Sequence, residues 1–193
     1  MALENLAELH SKPMPRRSGY QIPTVLQDLV MVDMLEITGS TVGASRILNI
    51  SQPTVSRRYR ALAEDLGLRR IRKGPPGTRF GDSPCLQLLR KGANLHRWQQ
   101  GVLRIAAAPS NRHRLNQQSR VEWLDLPPID PEHWSCLLRR ELLDGLLLPA
   151  SEQELVGSYG NRIQLQMPNQ PAMALICRPH PLVRNLVNTW FRS

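Results

Sequence analysis

A turn of only three residues, 49–51, joins two short segments whose apolar side chains recur at helical spacing. Ser40 or Thr41 can cap the first of these helices, and Pro53 fits the first turn of the second, where its missing N–H costs no hydrogen bond. An earlier helical pattern ends at Gly39. The second helix after the turn has one buried side, formed by Val55, Tyr59, Leu62 and Leu66. Three short helices around one small core are therefore expected.

The pattern changes twice in the rest of the chain. After Gly67, the basic segment 69–80 surrounds a Pro/Gly turn, which predicts a short β-hairpin. A fourth helix is predicted to begin at Asp82 or Ser83, and its apolar residues cover more than one side. From Val102 onward strands alternate with helices, which is typical of an α/β layer. The predicted strands are 102–107, 121–126, 146–148, 163–167 and 172–177, and the predicted helices are 131–143 and 182–191.

Positive charge is concentrated in the first half of the chain. The whole sequence carries a net charge of +9; residues 1–100 hold 15 basic and 8 acidic side chains, and residues 101–193 hold 10 and 8. Such an imbalance points to a polyanionic partner, most often nucleic acid. No apolar run long enough to span a membrane and no leader-like N-terminus occur, so we expect a cytoplasmic protein with no membrane partner.

The exposed side of the helix after the turn carries residue types that recognise DNA bases. Gln bonds adenine and Arg bonds guanine through two atoms each, and the Thr methyl packs on that of thymine. The residues opposite the buried side are Gln52, Thr54, Ser56, Arg57 and Arg60. The cations expected to meet mainly phosphates are Arg58, Arg60, Arg72, Lys73 and Arg79. The alternative is a three-helix packing unit whose charges simply face water.

Residues 39–56, continuing to Leu62 and Leu66-Gly67, resemble the N-terminal domain of LysR-type transcriptional regulators, and the specific part is Ser51-Gln52-Pro53-Thr54-Val55-Ser56. The resemblance implies a winged helix-turn-helix that binds double-stranded DNA as a homodimer or higher homo-oligomer, nucleoid-associated when bound. By position it places these residues at the major groove: Gln52, Pro53, Thr54, Ser56 and Arg57. It places Arg79 near the minor groove, and Ser51 is also expected to contact DNA. The dimer contact on the linker helix is predicted at Leu86, Leu89, Ala93 and His96.

The expected fold is α+β. Residues 1–24, with three prolines in eleven positions, form an N-terminal arm. The winged helix-turn-helix covers 25–81 and the linker helix 82–100. Residues 101–193 form a small α/β domain that resembles, more weakly, one reduced lobe of a periplasmic-binding-protein-like effector domain. Because family members bind their inducer between two lobes, we expect no complete inducer pocket here, and a small-molecule effector is doubtful.

Other functions find less support in the sequence. Residues 73–78 look like a phosphate-binding loop, but Arg79-Phe80-Gly81 follows where Gly-Lys-Ser/Thr is needed. His133 and Cys136 could ligate a metal, yet no two further ligands are in view, so neither a metal nor another cofactor is expected. No catalytic constellation can be assembled, which argues against an enzyme. The competing hypothesis is a protein-interaction module that dimerises with full-length regulators or other partners and modulates them.

Overall fold

The structure is a computed structural model that describes residues 20–112, 120–127, 129–165 and 171–191. Most of the predicted N-terminal arm therefore lies outside the described residues, as does the last part of the strand predicted at 163–167. In the described part of the chain, no helix is both long enough and apolar enough to cross a bilayer.

Within residues 20–99 the structure has four α-helices, and their ends fall where the sequence predicts them. Gly39 ends the first helix with φ of 69°, a left-handed conformation that glycine adopts without strain. The Ser40 hydroxyl accepts from the Gly43 amide, and the Ser51 hydroxyl accepts from the Thr54 amide, so each following helix starts on a capped turn. After the 3₁₀ turn Thr24–Leu26 the helices are α1 Gln27–Thr38, α2 Thr41–Leu48, α3 Gln52–Asp65 and α4 Pro84–Gln99.

The second half is a five-stranded mixed sheet flanked by helices, as the alternating pattern predicts. The strands are β1 Leu103–Ala107, β2 Val121–Asp125, β3 Gly145–Pro149, β4 Asn161–Leu165 and β5 Met173–Cys177. Their order is β2-β1-β3-β5-β4; β1 pairs in parallel with β2 and β3, and β5 pairs antiparallel with β3 and β4. The helices are α5 Pro109–Arg112, α6 Trp134–Arg139 and α7 Pro181–Phe191, with 3₁₀ turns at Pro131–His133 and Ala150–Val156.

The helix predicted at 131–143 is shorter than expected. Its α-helical part ends at Arg139, and Glu141 follows with φ of 63°. A left-handed residue cannot continue an α-helix, so the chain turns directly into β3.

Helix α1 is buried along most of its length: ten of its twelve residues, including all seven apolar ones, are buried. Helices α2 and α3 cover one side, and α4 covers another. The same apolar core continues to one face of the sheet, where Ala106, Leu146 and Ile176 contribute. The opposite face of the sheet packs against α7 through Val183 and Val187. One continuous core therefore joins the first three helices to the sheet, with α4 between them.

Two acids and two arginines form a buried ion-pair network across this junction. Asp33 of α1 accepts from Arg90 Nε of α4 at 2.7 Å and faces Arg104 Nη1 of β1 at 3.3 Å. Arg104 also donates from Nε to Glu122 of β2 at 2.9 Å. Burial opposes the charge of Arg104, but Glu122 and Asp33 outweigh it and raise the pKa of the guanidinium. Charges on α1, α4, β1 and β2 thus neutralise one another away from water.

Asp144, just before β3, is the second buried acid at the junction. Its carboxylate is 1% exposed and accepts hydrogen bonds from Arg97, from Trp98 Nε1 at 3.0 Å and from the Arg104 amide at 2.7 Å. Burial alone would raise the pKa of Asp144, but Arg97, the Arg104 amide and Arg178 together hold it below its ordinary value. This carboxylate therefore stays charged and fixes the end of α4 to the sheet.

Replacing Asp144 by Asn should destabilise the protein by about 3–5 kcal/mol at pH 7, because Arg97 is left buried without its counter-charge. A depressed pKa contributes stability above the unfolded value, about 3.9, and that contribution is lost as pH falls through the folded value. The difference between the two proteins should therefore shrink below about pH 4. Urea unfolding followed by circular dichroism at pH 7, 5, 4 and 3 measures it. Asp65→Asn, at an exposed acid, is the control, and a difference that persists unchanged at pH 3 contradicts the assignment.

Candidate nucleic-acid interface

The start of α3 presents a polar face to solvent. Gln52, Pro53 and Arg57 are exposed there, whereas Val55, on the opposite side, is fully buried. Ser56 is half-buried, and Arg60 is exposed one turn further along the helix. The sequence-predicted base-contacting residues are thus brought together on one accessible helical surface.

Several of these side chains already hold one another in place. Gln52 Nε2 donates to Thr41 Oγ1 at 3.0 Å, which ties the start of α3 to the start of α2. The hydroxyls of Ser51 and Thr54 are 2.8 Å apart. Ser51, predicted to contact DNA, therefore also caps α3. The bond to Thr41 uses one of the two N–H groups of the Gln52 side-chain amide.

Arg58 does not belong to this surface, which corrects its predicted role as a phosphate contact. It is 7% exposed, and its Nε donates to Asp28 Oδ1 at 2.5 Å. Its position three residues after Val55 and four before Leu62 puts it on the inward side of α3. Arg58 therefore fixes α3 to α1.

The predicted β-hairpin at 69–80 is also wrong. The described residues 66–83 contain no strand, and one bond from the Ile71 amide to the Arg79 carbonyl, 2.8 Å, links the two arms. Pro75 and Pro76 have no N–H with which to extend a ladder. The segment is instead a loop, which we call the basic loop (residues 69–80).

A buried carboxylate organises the basic loop. Glu36 of α1 is fully buried, and its Oε2 accepts from the amides of Gly77 at 2.8 Å and Arg79 at 3.1 Å. Its Oε1 accepts from the Phe80 amide at 2.6 Å. Burial raises the pKa of Glu36, although the three amides and Arg90 act in the opposite direction. Hydrogen bonds from three backbone amides to Glu36 thus hold the loop in place of the predicted strand pairing.

The basic loop lies against α3 and the end of α1. Tyr59 of α3 donates to the Phe80 carbonyl at 2.9 Å, and Arg70 stacks over the Phe80 ring at 4.9 Å. A Cβ built on Gly39 would lie 3.2 Å from Arg79 Nη1, so this guanidinium sits directly over the α1–α2 turn. The exposed cations of the loop are Arg69, Arg70, Arg72 and Lys73.

A cavity of about 380 Å³ lies between the basic loop and the sheet half of the chain. Arg72, Lys73 and the half-buried Arg79 line it from the loop, and His133 lines it from the other side. Arg79 Nε donates to the Gly74 carbonyl at 3.0 Å, which holds its guanidinium in the wall of the cavity. The predicted phosphate-contacting cations of this segment therefore converge on one positively charged groove.

The outward side of α4 differs from the one predicted for dimer contact. Leu86 and Ala93 are buried within the chain itself, and His96 lies against Tyr20, whose hydroxyl is 2.9 Å from His96 Nδ1. Of the predicted set, Leu89 is on the exposed side. That side carries a stripe of three leucines, Leu88, Leu89 and Leu95, between 40% and 68% exposed. Apolar residues on more than one side were predicted for this helix, and the structure has both a buried and an exposed set.

Residues considered for other chemistry are not assembled into a site. Asp130, Glu132 and His133 bring ligand-capable atoms within 4.8 Å of one another, but the two acids are exposed. Cys136 is not part of that group. Residues 73–78 lie in the basic loop, and the next helix begins only at Pro84, so they do not lead directly into a helix as a phosphate-binding loop does.

Comparisons with known proteins return structures only; no protein-family model and no curated protein matches the sequence. The solved structures that align with it are LysR-type transcriptional regulators. LysG from Corynebacterium glutamicum is 20% identical and aligns over 72% of this chain and 53% of its own, with a TM-score of 0.33. A full-length OxyR variant from Pseudomonas aeruginosa is 17% identical and aligns over 64% of this chain and 49% of its own, with a TM-score of 0.37. HinK, a LysR family regulator from the same organism, is 22% identical and aligns over 65% of this chain and 47% of its own, with a TM-score of 0.31.

This chain thus spans about half the length of the solved structures that it matches. Because the TM-scores are low, the function proposed below rests on this chain's own residues.

Replacing Glu36 by Gln should release the basic loop, since an amide nitrogen cannot accept from a backbone N–H. Leaving at least one buried donor unpaired costs about 1–3 kcal/mol. Amide exchange at Gly77, Arg79 and Phe80 should accordingly become about 10- to 100-fold faster. Hydrogen exchange read by NMR measures this, with the exposed Glu64→Gln as control. Unchanged protection at all three amides would show that Glu36 does not hold the loop.

Proposed function

We propose that this chain is a sequence-specific regulator of transcription, similar to LysR-type regulators, that binds double-stranded DNA as a homodimer. The observation that carries the proposal is that two kinds of side chain meet at the α1–α2 turn: Gln52, of a type that recognises bases, and Arg79, of a type that binds phosphates. Gln52 reaches Thr41, at the beginning of α2, and Arg79 lies over Gly39 two residues earlier. The polar start of α3 and the cations of the basic loop therefore form one continuous surface.

The two parts of this surface suit the two parts of a DNA site. The exposed side of α3 offers Gln52 and Arg57 to base edges in the major groove. The half-buried Thr54 lies close by, with its hydroxyl 2.8 Å from that of Ser51. The basic loop offers Arg72 and Lys73 to the phosphates. Arg79 is held at the rim of the loop, next to the α1–α2 turn. Affinity thus comes mainly from the loop and base choice from the helix.

The homodimer is proposed to form on the exposed leucine stripe of α4. Leu88, Leu89 and Leu95 are too exposed to belong to the core of one chain, and Gly92 between them lets a second backbone approach closely. A two-fold axis through this helix would place two copies of α3 on one duplex, which suits a two-fold or near two-fold site.

We also propose that this chain alone forms no inducer pocket of the inter-lobe type. Such a pocket needs a wall from each of two lobes, and the described residues contain one sheet, closed on one face by α7 and on the other by the helical half. The sheet face towards the helices is filled by apolar side chains and by the buried ion pairs of Arg104.

Replacing Arg57 and Arg72 separately by Ala should distinguish base recognition from phosphate binding. Arg57→Ala should weaken binding to the preferred duplex by about 1–3 kcal/mol and reduce the preference for it over scrambled DNA. Arg72→Ala should weaken all sequences alike and make the salt dependence shallower by about one unit. Fluorescence anisotropy against duplexes selected from genomic fragments measures both effects.

The matched control for these variants is Arg184→Ala, which removes an equally exposed guanidinium from α7. It should leave affinity and salt dependence close to those of the unchanged protein. If neither Arg57→Ala nor Arg72→Ala alters retention on genomic DNA, the proposed function is wrong.

Replacing Leu88 by Glu should break the homodimer, because the proposed interface would bury an unpaired carboxylate. We expect the dissociation constant of the dimer to rise about 30-fold or more, equivalent to about 2 kcal/mol. Sedimentation velocity over a concentration series gives this constant. Leu155→Glu, at a leucine 47% exposed outside the helix, is the control. Equal dissociation by both variants would place the interface elsewhere.

A further inference from the structure

A second cavity lies at the seam between α4 and the end of α6, and one of its lining residues, Arg140, lies against Gly77 of the basic loop. Its volume is about 280 Å³. Gln87, Arg90 and Lys91 line it from α4, and Arg139, Arg140 and Glu141 line it from the other side. Four of these six side chains are cationic, and the cavity is somewhat smaller than the pockets that hold drug-sized ligands.

The charges of this cavity do not cancel within the described part of the chain. Arg90 pairs with Asp33, and Arg140 Nη1 lies 2.7 Å from Asp82 Oδ2. Among the described residues, Lys91 and Arg139 form no ion pair; Arg139 stacks instead over the Tyr159 ring at 5.2 Å. Two positive charges thus remain without acidic partners at one seam.

The single acid of the lining is already neutralised. Glu141 Oε1 lies 2.9 Å from Arg178 Nη2, and its backbone carbonyl accepts from Asn94 Nδ2 at 2.8 Å. Its left-handed backbone, φ 63°, is rare for a residue other than glycine, and the pairing with Arg178 and Asn94 holds it there. Glu141 therefore does not neutralise Lys91 or Arg139.

Arg90 provides a second, independent observation that favours an anion-binding site here. Its side chain is 2% exposed, and among the described residues its Nη2 has no hydrogen-bond partner. A buried guanidinium N–H without an acceptor is costly, and a planar guanidinium matches carboxylate and phosphate oxygens well.

We propose that this seam binds a small dianion, such as a phosphate monoester or a dicarboxylate, between α4 and the end of α6. Lys91 and Arg139 supply the two compensating charges, and Arg90 supplies the buried donor. Because the ligand contacts both sides of the seam, it fixes α4 against the sheet half of the chain. The site is separate from the surface proposed for DNA and does not depend on DNA binding.

The test is a titration of the full chain with inorganic phosphate and with succinate at constant ionic strength, followed by thermal unfolding and calorimetry. At about 100 times the dissociation constant, the midpoint of unfolding should rise by about 5–10 °C. Lys91→Gln and Arg139→Gln should each weaken binding at least tenfold. Lys91→Gln should leave the midpoint of the free protein unchanged, whereas Arg139→Gln also loses the stacking over Tyr159 and is compared with its own ligand-free midpoint. Arg184→Gln, which removes an exposed cation from α7, should leave binding unchanged.

The inference is wrong if neither probe gives a saturable response beyond that of sodium chloride, or if all three variants behave alike. Titration with duplex DNA tests whether the ligand is a free dianion or a phosphate of the DNA backbone. Lys91→Gln and Arg139→Gln should leave duplex affinity within twofold, and a loss as large as that of Arg72→Ala overturns the inference. If the unchanged protein fails to bind any duplex, the anion titration still decides this site on its own.

Discussion

The pairing of Asp33 with Arg90 and Arg104 is the interaction on which the rest of the structure depends. It joins α1, α4 and β1 at a place where none of the three side chains is more than 3% exposed. Buried charges are tolerable only when they are paired, so each of these elements requires the other two in position. Removing Asp33 would leave Arg104 paired with Glu122 and would take from Arg90 the one ion-pair partner that it has among the described residues.

Because α1 is enclosed, the surface proposed to contact DNA and the sheet are parts of one packed body. Glu36 lies one turn after Asp33 on α1 and holds the basic loop, whereas Asp33 holds the sheet. A single helix thus connects the loop that should meet phosphates with β1 and α4. A rearrangement at the α4 seam can reach the basic loop through α1, where the buried ion pairs oppose movement, and through Arg140, which lies against Gly77 of the loop.

Much of the fold follows from local spacing, whereas the polar contacts across the junction do not. Helices α1 to α4 and all five strands lie where periodicity and capping residues predict them, since both signals are local. Arg58 was misassigned although its spacing from Val55 puts it on the inward side. Asp33 and Glu36 carried a usable signal as acids inside an apolar helix. Their partners, 57 and 41 or more residues away in sequence, could not be identified from one chain.

The charge imbalance that first pointed to a polyanion has two different origins in the structure. Arg58, Arg90 and Arg97 lie in the basic half but are buried and paired with acids. They contribute to net charge without offering a charge to a partner. The exposed cations that we propose for DNA contact lie on α3 and in the basic loop, and the basic loop contains no acid. Burial determines which cations of the first half can meet a phosphate.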